Sequence, residues 1–465
     1  MNRKTILKNM GVAFASQGVG LCLSFVMGLL VPKVLGVEGY GYWQLFILYS
    51  SYAGLFQFGI SDGVYLLNGG KHRDELDLPT LHSQFMLMVG TQWALGAAVV
   101  VDSLTVDFGP ERYFVLMATI CYVLISNISG YLGYIFQAVN ETALYSLSVI
   151  LDKVTFLVPL LVLVAFGNSD FRVYIVVYSI SKIIAMLFCV YHGREVLRCR
   201  GVGFSRGVHA LVESARVGIK LMVANLAGQL VIGIVRMLID SRFGITEFSQ
   251  ISFSFSLVNF FLTFVSQASM VLFPALRRSK AHELRAFFEN ARQGMAIVLL
   301  GVYLLVFPLK GVFLAWLPKY AKSIEILPLL LPICLFDGKA DIVGATFYKV
   351  LRWEGRLLAI NVMTVAISAV MGLCGAYIFG SVRLTVIGAV VAIVARSIVM
   401  ERELAGHFEL PWRNLAAEEI LLTVVFLLSA SLLSDVAAAV VYGAFYVAYL
   451  WRNGPFLSKL VALRG

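Results

Sequence analysis

Runs of about twenty apolar residues, nearly free of charge, recur about fourteen times along this chain, and each can span about 30 Å of hydrocarbon as a helix. They lie near 10–35, 43–66, 80–101, 112–138, 145–167 and 171–192, then 217–240, 250–274, 293–316, 324–347, 357–379 and 384–400, with two shorter runs near 417–433 and 436–451. The whole sequence is 60% hydrophobic and 14% charged, whereas soluble domains carry about 25% charge. A water-exposed surface cannot be assembled from so little charge. The expected fold class is therefore an all-α multi-pass membrane protein with about fourteen crossings, or about twelve if the two short runs do not span.

The charged residues that remain sit between the runs. With the N-terminus inside, inner segments hold 24 Lys and Arg and outer segments 8, an alternation that follows the positive-inside rule and puts both termini inside. The net charge of +10 is spread over these short connections, so a nucleic-acid partner is not expected. The six cysteines show no paired spacing, and neither HExxH nor GxxxxGK[ST] occurs, which leaves no metal or nucleotide signature. The basic start (Arg3, Lys4, Lys8) runs into an apolar stretch without a small-x-small cleavage site, as in a retained first helix.

The longest inner connection divides the chain into an N-terminal six-helix lobe (1–192), a basic linker (193–216) and a C-terminal six-helix lobe (217–400). The two extra helices and a tail follow (401–465). Shifted by 208 positions, Leu35-Gly36-Val37-x-x-Tyr40 falls on Phe243-Gly244-Ile245-x-x-Phe248 and Glu75-Leu76 on Glu283-Leu284. An even number of crossings per copy makes this a parallel repeat about an axis along the membrane normal.

Charge and amide groups inside the membrane are costly and become candidate sites. In helix 7, Asn225, Gln229, Arg236 and Asp240 fall on one narrow stripe at 100° per residue, suited to a wet wall. Arg236 keeps its charge and can grip phosphate with two bonds. Alternatively, Arg236 and Asp240, four apart, neutralise each other. Lys182, halfway along helix 6, is too deep to reach water by stretching, so a phosphate or an acidic partner such as Asp337 or Asp341 is expected. Asp152 and Lys153 lie in helix 5 and Lys339 in helix 10. Gln44, Ser51 and Asp62 share one wet face of helix 2. Gln17, Gly20, Ser24 and Gly28 form a stripe of small residues in helix 1 that suits close packing. Asn127, Tyr131 and Tyr134 line one side of helix 4, where the tyrosines could stack on sugar rings, and helix 8 is rich in hydroxyls and amides, including Ser252, Ser266 and Gln267. Asp337, Asp341, Asp62 and Asp240 are the candidates for coupling to Na+ or H+. The outer loops, about a dozen residues or fewer, are too short to fold over a substrate, so an enzyme is not expected.

The stretch Asn9-Met10…Gly28 leading into Leu35-Gly36-x-x-x-Tyr40-Gly41, with Leu55-Phe56-Gln57-Phe58-Gly59-Ile60 and Phe136-Gln137-Ala138, resembles the polysaccharide-transporter branch of the multidrug/oligosaccharidyl-lipid/polysaccharide flippase superfamily, the O-antigen-type flippases. That resemblance implies two six-helix lobes in a V around a central cavity, in a bacterial cytoplasmic (inner) membrane. It implies a transporter, without cofactor, that moves an undecaprenyl-diphosphate-linked oligosaccharide by alternating access. The driving force would be Na+, H+ or the membrane potential, and the partners membrane lipids and, as a candidate, a polysaccharide polymerase. Cationic residues would receive the phosphates, here Arg236 and Lys182. The lipid II flippases of the superfamily carry arginines in helices 1 and 2, whereas nothing between Lys8 and Lys33 is basic here. The rival within the architecture is a cation-coupled drug or metabolite exporter.

Overall fold

The computed structural model describes residues 18–105, 108–276 and 281–456, and the side chains of all of these except 264–276 and 281–282. Arg3, Lys4, Lys8, Gln17, Asp107, Arg277, Arg278, Lys280, Lys459 and Arg464 lie outside the described residues, as do the side chains of Ser266 and Gln267. The regular structure among the described residues is helical throughout, and 10 segments are long and apolar enough to cross a bilayer.

Two of these segments are too long for one crossing. Gly18–Gln57 has 40 residues and Phe204–Thr263 has 60, about 60 and 90 Å of helix at 1.5 Å per residue. Each is broken at a single glycine: Gly36 (φ 68°, ψ −177°) and Gly244 (φ 86°, ψ 178°). That backbone region is essentially restricted to glycine, because any Cβ there collides with its own chain. The two glycines stand 208 positions apart, the offset that aligns the halves of the sequence, and the aligned aromatics Tyr40 and Phe248 are both fully buried. The repeat is therefore written in the backbone as well as in the hydropathy. Nothing lies within 4 Å of a Cβ built on either glycine, so Gly36→Ala and Gly244→Ala are each expected to cost about 1–3 kcal/mol from conformation alone. Gly28→Ala, at a helical glycine with equal free space, is expected to leave the thermal midpoint in detergent unchanged.

The chain divides into two compact units, Met1–Leu230 and Val231–Gly465. Unit 1 contains α1 (Val31–Ser51), α2 (Ile60–Asn68), α3 (Leu78–Ser103), α4 (Gly109–Ala138), α5 (Thr142–Ala165), α6 (Phe171–His192), α7 (Arg194–Arg198) and the first part of α8 (Phe204–Leu276). Asp77 starts α3 by accepting from the Thr80 amide, and Asp170 starts α6 by accepting from Arg172, so each satisfies an amide that the first turn leaves open. Between α1 and α2, Phe58 (φ 50°) and Gly59 (φ 77°) are both left-handed, so helix 2 is not continuous. The face expected to join Gln44 and Ser51 to Asp62 is interrupted there: Asp62 belongs to α2, and Ser51 is exposed while Gln44 and Asp62 are buried. Arg73, counted above among loop cations, ties three helix ends together. It bonds Glu141 at 2.8 Å and Glu195 at 3.2 Å and donates to the His192 carbonyl.

Unit 2 holds the rest of α8, then α9 (Ala281–Trp316), α10 (Ala321–Lys339), a π segment (Ala340–Ala345), α11 (Thr346–Val350), α12 (Glu354–Leu373), α13 (Val382–His407), α14 (Arg413–Leu432) and α15 (Asp435–Arg452). The final two helices are integral to this unit. The Tyr442 and Tyr446 hydroxyls each donate at 2.8 Å to carbonyls of α9, those of Leu300 and Ile297.

Candidate functional site

The polar interior of unit 1 centres on Lys182 and Asp152. On α6 the exposed apolar residues Val176, Ile180, Ile184 and Leu187 lie within about 40° of Ile180, and Lys182 lies about 160° away at 100° per residue. On α5 the exposed Leu147, Val154, Val158 and Leu161 lie within about 40° of Leu147, and Asp152 lies about 140° away, on the ridge of the buried Ser148, Phe156 and Leu160. Both charges thus turn from the apolar surface toward the inside of the unit. There the Lys182 ammonium meets the Asp152 carboxylate at 3.1 Å, and the side chains keep 19% and 21% of their exposure. The Ser181 hydroxyl donates to the Tyr178 carbonyl at 2.7 Å and lies 3.3 Å from the other carboxylate oxygen. Tyr122, Tyr145 and Tyr178 surround the pair, and Trp43 and Phe156 pack on the Tyr178 ring. The acidic partner of Lys182 is therefore Asp152, and Asp337 and Asp341, the alternatives raised above, lie in unit 2. Lys153 points its ammonium at the first helical segment, where a Cβ on Gly20 would come within 2.7 Å of it. That glycine makes room for a cation, which the small-residue stripe alone did not reveal.

The amide and phenol candidates of unit 1 have protein partners. Asn127 is 1% exposed; it accepts from the Gln57 amide at 2.7 Å and donates to the Ala53 carbonyl at 3.0 Å, pinning the turn after α1. Tyr131 is fully buried and donates to the Leu81 carbonyl at 3.0 Å, which places its ring in the core between α3 and α4. Gln44 is buried and donates to the Tyr40 hydroxyl at 2.7 Å. Tyr134 is half-buried against Tyr65 and bonds Asp62, whose Oδ1 is buried without a hydrogen-bond partner.

The stripe of helix 7 is divided along its length. Asn225 and Gln229 are exposed and belong to unit 1; Arg236 and Asp240 are buried and belong to unit 2. The Arg236 guanidinium donates twice to the Ser252 hydroxyl, at 3.1 and 3.0 Å, and lies over the Phe248 ring. Both partners come from beyond the Gly244 break, so Arg236 braces the repeat's signature turn.

Unit 2 contains a charge cluster that the sequence reading did not assemble. Lys339 meets Glu401 at 2.8 Å and Glu419 at 2.5 Å, with all three side chains 6% exposed or less. Arg292 stands 3.5 Å from Glu401 and donates to the Pro411 carbonyl at 2.8 Å. Arg396 pairs with Asp337. A cavity of about one water's size adjoins Arg292, Lys339 and Glu401. Arg292 and Arg396 lie within a turn or so of an apolar run's end, where a sequence cannot separate a buried helix end from a loop. Asp341 lies in the π segment that follows Lys339 and is exposed, while Asp337 is held by Arg396. Among the described residues no group of His, Cys, Asp or Glu is placed to hold a metal ion.

The fold is shared with transporters of known structure. The chain superposes on "Lipid II flippase MurJ, inward closed conformation" with a TM-score of 0.68 at 11% identity, covering 96% of this chain and 99% of that one. An inward-facing multidrug resistance MATE family transporter of the MOP superfamily gives 0.60 at 12% identity over 84% of this chain and 94% of that one. The outward-facing form of a MATE transporter gives 0.51 at 12% identity, over 86% and 96%. No curated protein sequence matches the chain. The profile of the family described as "Polysaccharide biosynthesis protein" matches residues 6–280, which is more than half of the sequence and reaches through unit 1 into unit 2. The paired glycine breaks, the transporter fold and the sequence profile agree: the chain is a multi-pass membrane protein of the polysaccharide biosynthesis family, with the fold of flippases and multidrug exporters.

Proposed function

We propose that this protein translocates an undecaprenyl-diphosphate-linked oligosaccharide from the inner to the outer leaflet of a bacterial cytoplasmic membrane by alternating access. The observation that carries this reading is the Lys182–Asp152 pair, turned away from both apolar stripes and still about one-fifth exposed. A charge placed mid-helix, away from lipid and reachable, is what a headgroup bearing phosphates requires. The family's link to polysaccharide biosynthesis supplies the cargo class, and a fold neighbour named for flipping lipid II supports a lipid-linked one. Of the two cations expected to receive phosphate, Arg236 is 8% exposed and already holds Ser252, so the reading rests on Lys182. Asn225 and Gln229, both exposed, offer amides to glycan hydroxyls. Asp62, with its unpartnered oxygen, and the exposed Asp341 are the groups best placed for a coupling cation.

In cells whose surface glycan depends on this protein, Lys182→Ala is expected to lower surface glycan by about tenfold or more, the effect of losing roughly 1.4 kcal/mol or more of substrate stabilisation. The amount of folded protein in the membrane should stay unchanged. Normal glycan in that variant overturns the proposal, and resistance to cationic drugs that depends on the protein would indicate an exporter instead.

A further inference from the structure

The two units treat their intramembrane ion pairs differently. In unit 2 the Lys339 cluster is sealed, with side chains 1–6% exposed and two carboxylates on one ammonium. In unit 1 the Lys182–Asp152 pair is several times more exposed, and each charge has one ionic contact of 3.1 Å between them. A pair built only for stability would gain from being closed off with further hydrogen bonds. This one keeps about one-fifth of its exposure. We infer that Asp152 is a resident counter-anion, which Lys182 exchanges for substrate phosphate at binding and takes back at release. The inference rests on the proposed function and concerns the regulation of the same site.

Three features fit an exchange. A lysine ammonium is a compact charge on a flexible stem that can change partners, whereas arginine would be held by its planar fork. Asp152 is not stranded when Lys182 turns away, because the Lys153 charge acts on it from the next position and the Ser181 hydroxyl, 3.3 Å from its other oxygen, can turn to it from the Tyr178 carbonyl. Finally, the resident anion imposes a cost on binding that matches a need for release. A transporter that bound phosphate on an unopposed ammonium would hold its cargo on both sides of the membrane. With Asp152 competing, apparent affinity falls by the fraction of time that Lys182 is free.

The expected consequence is opposite for binding and for transport. If Lys182 is free about a tenth of the time, Asp152→Asn tightens the apparent affinity by about tenfold, and the same substitution lowers surface glycan because release is slowed. Binding is measured on the purified full-length protein in detergent with farnesyl diphosphate as the probe and farnesol as the uncharged control. Should D152N bind the probe no more tightly than the native protein while K182A loses binding, the exchange is wrong and the phosphate reading stands. Should K182A bind as well as the native protein, the phosphate reading itself falls. A measurement on the native protein covers the case in which D152N does not fold. Carbodiimide labelling of Asp152, read by mass spectrometry of its peptide, should rise several-fold when farnesyl diphosphate is added and not with farnesol. Labelling that does not respond to the probe overturns the exchange.

Discussion

Gly63→Val and Gly218→Val are each expected to prevent the folded protein from accumulating in the membrane. The reason is a line of backbone-to-backbone contact between α2 and the first part of α8. A Cβ at Gly63 would fall on the Ser214 carbonyl, and one at Gly218 on the Gly59 carbonyl and the Gly63 nitrogen; one at Gly59 would reach 2.5 Å from the Ile219 nitrogen. These neighbours are main chain and cannot step aside as a side-chain tip can. Overpacking in a core costs about 1–3 kcal/mol when side chains yield, and here the helices must separate, so about 3 kcal/mol or more is expected for each valine. Gly59 carries the added constraint of φ 77°. The control is Gly54→Ala, whose Cβ would meet only the Leu226 side chain at 4.0 Å. Membrane abundance and the thermal midpoint in detergent give the readout. A G218V protein that melts like the native one would show that α2 and α8 are not held in this way.

That contact also marks how far a sequence can be read. The segment Leu55–Ile60 was recognisable as a pattern, yet its physical content, two left-handed residues that turn α2 onto α8, depends on a partner helix some 160 positions away. Features that live on one helix were legible. Hydropathy marked the long apolar helices, ten of which are able to cross a bilayer, and the 208-residue offset found Gly36 and Gly244 because a glycine-only backbone leaves a glycine in both copies. Features that need two helices were not. A helical wheel placed Asn127 and Tyr131 on a polar side but could not show that the Ala53 and Leu81 carbonyls already occupy them. It placed Lys182 halfway along its helix and offered Asp337 and Asp341 as acidic partners, where the fold supplies Asp152. Counting cations by loop placed Arg292 and Arg396 among the orienting charges, while the fold pairs them with Glu401 and Asp337. Glu401 and Glu419 escaped notice for the same reason, since each sits near a helix end where a charge normally reaches water.

Lys339→Ala is expected to be the most damaging single substitution in unit 2. Removing the ammonium leaves Glu401 and Glu419 facing each other with side chains 6% and 1% exposed, and breaking a buried pair by deleting one partner costs about 3–5 kcal/mol. The charge-balanced double variant K339M/E419Q separates the causes. It removes one positive and one negative charge, keeps similar volume, and leaves Arg292 beside Glu401 at 3.5 Å. Replacing a buried ion pair by neutral groups of like size is often close to neutral, so the double variant should recover most of the thermal midpoint lost in K339A. Equal damage in both proteins would mean that packing, not charge balance, is what Lys339 provides. Recovery would carry a structural consequence as well. Glu419 belongs to α14, the first helix of the C-terminal hairpin, and Lys339 ends α10. An ammonium that needs both Glu401 of α13 and Glu419 of α14 binds the extra hairpin into the core of unit 2. Deleting residues from 413 onward should then destabilise unit 2 as K339A does, because Lys339 and Arg292 would be left with Glu401 alone, and restoring the balance with K339M in the truncated chain should return part of what was lost.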